Sequence, residues 1–164
     1  MVIENPEKIM MKSLEDSCGL TAYAKTLTLR ITDVSSNADY QKNYTSYYRV
    51  RRDAAWLKGY YAFMEENKNN KSLDFAAIIR HISNIPHKVR VSKSCPTGMA
   101  TTIEASFASK MLATINTDYP VWDSQVVRAL GFQIDDTLRG EAKIQAYIEA
   151  YAKLTAEIKR LIDT

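Results

Sequence analysis

Cysteine is almost missing from this 164-residue chain. Cys18 and Cys95 are too few for a disulfide framework and have no metal-ligand spacing. Glycine (5) and proline (4) are scarce while 46% of residues are hydrophobic, which excludes a disordered or low-complexity chain. No apolar run approaches the roughly 20 residues that a membrane span needs. The opening Met1-Val2-Ile3-Glu4-Asn5-Pro6-Glu7 has neither the basic region nor the long apolar region of a signal peptide. Strict apolar–polar alternation is nearly absent too, and Val89-Arg90-Val91 is its best and very short instance. These absences lead to the expectation of a soluble, reduced, cytoplasmic protein. The length suits a single domain over residues 1–164.

What is present is helical spacing, and the fold class expected is all-α. Leu20, Ala24, Leu27 and Ile31 recur at helical intervals, and a long segment from about Gln41 to Asn67 carries Trp56, Tyr60 and Phe63 on one face. Ser72 is positioned to cap a helix with Leu73, Ala76, Ile79 and Ile82, which should stop before Pro86. Thr101-Thr102-Ile103-Glu104 fits a capping box. Behind it Ile103, Phe107, Met111, Leu112 and Ile115 form an apolar stripe, with Ser106, Ser109, Lys110 and Ala113 lying away from most of it. A short helix from about Ser124 to Leu130 should end at Gly131. The last helix, about Arg139 to Ile162, places Ile144, Tyr147, Ile148, Tyr151, Ile158 and Ile162 on one side.

Charge is distributed unevenly. Residues 1–39 carry −2, residues 40–74 carry +3, and residues 75–103 carry +4 with no acid at all. The last two stretches, 104–134 and 135–164, carry −1 each. The bases of the acid-free stretch are Arg80, Lys88, Arg90 and Lys93, and the segment before it holds Tyr40, Tyr44, Tyr47, Tyr48, Trp56, Tyr60 and Tyr61. Cations interleaved with rings suit nucleic acid, because cations neutralise phosphate and rings stack on unpaired bases. Tyrosines at helical spacing equally suit a core whose hydroxyls reach polar partners.

The most distinctive block is Glu104-Ala105-Ser106-Phe107-Ala108-Ser109-Lys110-Met111-Leu112-Ala113-Thr114-Ile115-Asn116 followed by Pro120-Val121-Trp122-Asp123-Ser124-Gln125-Val126. Over about residues 103–131 it resembles a small, uncharacterised bacterial family with E-A-S-F-x-S-K-x-L-A-T-I-N and P-V-W-D-x-x-V. That family usually has proline where Thr117 stands here. More distantly the block is similar to the core of helix-hairpin-helix DNA glycosylases, in which a P-V-D-x-x-V segment opens a helix. The resemblance implies a helix-hairpin-helix glycosylase-like arrangement in the C-terminal half, and it puts Asp123 in the place of the catalytic aspartate. A carboxylate there would stabilise positive charge on the sugar or activate water. The hairpin glycines of those enzymes are represented only by Gly98, their lysine nucleophile would fall near Glu104 rather than Lys110, and no cysteine cluster exists for an iron–sulfur site.

Two functions follow. In the first, a nucleic-acid-binding helical protein, Asp123 and Lys110 are the catalytic candidates for N-glycosidic base excision, Lys110 as a supporting charge. Arg80, Lys88, Arg90, Lys93, Ser106 and Ser109 would then meet DNA. In the second, a non-enzymatic helical module for protein interaction or oligomerisation, Lys110, Asp123 and Trp122 hold helices together, and an exposed apolar patch is required. Asp123 is in either case placed to cap the following helix. Glu104 and Trp122 are expected to be structural. No cofactor is expected, and no metal: Asp118, Asp123, Asp135 and Asp136 match no loop motif, and the Asp135-Asp136 pair more simply caps the last helix.

Overall fold

The computed structural model describes residues 17–89 and 98–163. Among the described residues there are seven α-helices and one two-stranded antiparallel ribbon. The chain runs from α1 (Ser17–Thr26) through a 3-10 segment (Leu27–Ile31) to α2 (Ala38–Tyr48), α3 (Ala54–Asn67) and α4 (Phe75–Ser83). The ribbon follows, β1 (His87–Val89) against β2 (Gly98–Ala100), with Lys88 opposite Met99. The chain ends with α5 (Ala105–Ile115), α6 (Ser124–Ala129) and α7 (Gly140–Ile162). The all-α expectation holds. No described helix is long and apolar enough to cross a membrane.

Side-chain caps account for most of the helix starts. Asn37 accepts from the Tyr40 N–H (2.8 Å) and Asp53 from the N–H groups of Ala55 and Trp56 (3.1 Å each), satisfying donors with no partner inside their own helix. The long helix expected over 41–67 is therefore two. Arg49 takes a left-handed conformation (φ 53°) and closes α2, and Asp53 then starts α3. Asp74 caps α4 through the Ala77 N–H (2.8 Å), so Ser72 does not, and Leu73 is buried ahead of the helix. At the end of α6 the Gly131 N–H reaches Arg128 O and the Phe132 N–H reaches Val127 O. Gly131 supplies the positive φ (74°) that this paired closure requires.

Helix α5 lies at the centre. It packs on α4 and on the 3-10 segment, and α4 also packs on α7. Its buried residues are not confined to one stripe: Ala105, Ala108, Ser109 and all of Met111–Ile115 are inside. Ser109 and Ala113, expected away from the apolar face, are buried because neighbours cover two sides of the helix. Beside α5 sits an aromatic core, with Tyr40, Tyr44 and Tyr48 of α2 at successive turns against Trp56, Tyr60 and Tyr61 of α3. Its hydroxyls are satisfied internally: Tyr44 and Tyr60 share a hydrogen bond (2.9 Å), and Tyr60 donates to the Phe107 carbonyl (3.0 Å).

The N-terminal periodicity had a different outcome. Leu20, Leu27 and Ile31 are 49%, 40% and 88% exposed, so this apolar series faces outward rather than into the core.

Candidate nucleic-acid interface

Glu104 closes the linker from β2 to α5. Helix α5 begins at Ala105, no side chain caps it, and Thr101 and Thr102 are exposed, so the capping box does not form. The reason lies in tertiary contacts. The Glu104 carboxylate is buried and ion-paired with Arg52, and the Glu104 N–H donates to Ser83 Oγ (3.3 Å). Thr102 is used elsewhere, its hydroxyl bonded to His87 Nε2 (2.6 Å) at the foot of the ribbon.

Arg52 joins this pair to Phe107, its guanidinium carbon lying 5.4 Å from the ring centroid. Lys110, one turn along α5, places Nζ 5.1 Å from the same centroid, and Trp56 meets the ring edge-on at 5.6 Å. Phe107 is partly exposed, so the two cations and the ring share one stretch of surface. Burial pulls the Lys110 amine below the ordinary lysine value, and the Asp123 carboxylate partly offsets this. Among the described residues no ion pair joins Lys110 to Asp123. Two buried donors in this cluster, Arg52 Nε and Trp56 Nε1, have no acceptor.

Arg52 also lines a surface depression of about 390 Å³ with Arg51, Asp53, His87 and Lys88. Asp53 organises it: one carboxylate oxygen caps α3 and the other accepts the Lys88 N–H (2.7 Å), fastening the ribbon to the start of α3. Those hydrogen bonds, Lys88's first, hold the Asp53 carboxyl below its ordinary pKa. Lys88, Arg51, Arg52, Phe107 and Lys110 thus follow one another along a strip assembled from three parts of the chain.

Asp123 lies just past the Lys110 end of the strip. It is exposed and caps α6, accepting from the Gln125 N–H (2.8 Å) and the Val126 N–H (3.4 Å). The connection that delivers it is pinned twice, by the Trp122 N–H on Ser109 Oγ (2.8 Å) and by the Tyr151 hydroxyl on Pro120 O (2.6 Å). Trp122 itself is buried and meets Tyr147 edge-on.

The remaining candidates divide. Ser109 is fully buried, its hydroxyl receiving Trp122 and donating to Ser106 O (2.9 Å), so it cannot contact phosphate. Ser106 is partly exposed. Arg80 is committed elsewhere: Nε and Nη2 both bond Glu141 Oε1 (3.0 and 2.8 Å), in a cavity of about 570 Å³ between α4 and the start of α7. Arg90 and Lys93 lie outside the described residues. The Asp135-Asp136 pair does not cap α7, since Asp135 accepts from the Thr137 N–H and hydroxyl instead. Among the described residues no group of His, Cys, Asp or Glu could hold a metal ion. Sequence reasoning missed Arg51, Arg52 and Phe107 as surface partners of Lys110. The acid-free stretch pointed toward Lys88, but the pairing of Arg52 with Glu104 has no local signal.

No family model, no curated protein and no solved structure matches this chain.

Proposed function

We propose that this protein binds nucleic acid through the strip Lys88–Arg51–Arg52–Phe107–Lys110. The observation that carries the reading is the continuity of that strip: four cations and an aromatic ring, brought together from three parts of the chain. Cations in such a row neutralise backbone phosphates, and binding then weakens with salt in proportion to the phosphates contacted. The test is fluorescence anisotropy with labelled single-stranded and duplex oligonucleotides over a salt series. Salt-sensitive binding that weakens in Arg51→Ala and Lys88→Ala supports the proposal. Absence of binding at low salt overturns it.

The resemblance to helix-hairpin-helix DNA glycosylases adds an activity to this reading, base excision with Asp123 as the carboxylate and Lys110 as a supporting charge. Its support is the exposure of Asp123 beside the strip and the field it exerts on Lys110. Asp123→Asn should then bind lesion-bearing DNA and release no base; full turnover in that variant excludes the role. A second reading, a helical module for protein contact, draws on the exposed Leu20, Leu27 and Ile31. Sedimentation or a pull-down unaffected by changing these three residues to serine would remove it.

A further inference from the structure

Resting on that reading, we infer that the strip is built for a single strand, with an unpaired base stacked on Phe107 and the neighbouring phosphate held by Lys110.

The two cations are not equivalent. Arg52 is fixed from three directions, by the buried Glu104 carboxylate, by the Arg51 carbonyl that accepts from Nη1 (3.1 Å) and by the Phe107 ring, so it braces the ring and leaves the phosphate to Lys110. Lys110 is a long flexible side chain that, among the described residues, is held by the ring and by the more distant charge of Asp123. Its ammonium can therefore leave the ring when a flatter apolar group arrives. A nucleobase is such a group, and its own phosphate then offers the displaced ammonium a full counter-ion in place of a weaker cation–π contact.

The ring must meet the face of a base for this exchange, and a duplex presents only base edges, since its faces are stacked inside. Lys110 Nζ lies 5.1 Å from the ring centroid, within about one nucleotide's reach, which suits the phosphate next to a base stacked on Phe107.

The experiment compares a 20-nucleotide single strand with the matching duplex, in anisotropy over a salt series, for the wild type, Phe107→Leu, Phe107→Tyr and Lys110→Met. The wild type should bind the single strand at least about tenfold more tightly than the duplex. Phe107→Leu should lose about tenfold on the single strand alone, as loss of one base–aromatic stack implies. Phe107→Tyr keeps a ring and should keep the preference, which covers the case in which the leucine variant folds poorly. Lys110→Met should weaken single-strand binding and reduce its salt slope by about 0.7. Equal affinity for both forms, or an equal loss on both in Phe107→Leu, overturns the single-strand inference while leaving nucleic-acid binding in place. No salt-sensitive binding to either form overturns the underlying reading as well.

Discussion

Lys110 has lost part of its water without gaining an ion pair, and that imbalance sets its pH behaviour. Its folded pKa lies below the ordinary lysine value of 10.5, burial being the larger cause and Asp123 opposing it. The unfolded chain therefore binds more protons at this residue in the window just below 10.5, and stability rises with pH across that window. Lys110→Met, which keeps the stem and removes the titration, should flatten this rise when urea unfolding is compared between the two proteins at a series of pH values. Glu104 presents the opposite case, a buried carboxylate whose charge is matched by Arg52. Glu104→Gln leaves the guanidinium unpaired, and because Arg52 stays a quarter exposed the loss should be about 2–3 kcal/mol, less than for a fully buried pair. Denaturant titration measures it directly.

At the scale of elements, caps divide the chain, and they also determine how much could be read from the sequence. Helices α5, α6 and α7 were legible because apolar spacing and the Asp123 and Gly131 signals agree. The break at 49–53 was hidden, since Arg49 is not a residue type that announces a left-handed turn. The capping box failed for a related reason: Thr101 and Glu104 have the right spacing, but Arg52, far away in sequence, claims the carboxylate. Of the site, Lys110 and Asp123 were visible in the sequence, whereas the seat of Phe107 between two cations depends on tertiary packing. Asp123→Ala should cost α6 about 1 kcal/mol of stability, and Asp123→Asn much less, because asparagine caps nearly as well. The pair thus separates cap from charge in any activity assay. Asp53→Ala should cost more than Asp123→Ala, since it removes the cap of α3 together with the Lys88 bond. Thermal melts of the three variants establish the order.

For the molecule as a whole, the aromatic core makes the fold sensitive to alkali. Burial raises Tyr44 and Tyr60 well above the ordinary tyrosine value of 10.0, and Tyr40, Tyr61 and Tyr151 are also raised. A raised folded pKa favours the neutral form, so this stability is complete below pH 10.0 and is lost as pH climbs beyond it. Absorbance at the tyrosinate band should show these phenols ionising together with the loss of circular dichroism, not before it. Asp53 has a different kind of consequence at this scale. One carboxylate serves the first turn of α3 and the ribbon at once, so opening either element takes a hydrogen bond from the same side chain and couples the two. The amide hydrogens of Trp56 and Lys88, 32 positions apart in the chain, should exchange with solvent at a shared rate, as members of one cooperative opening unit.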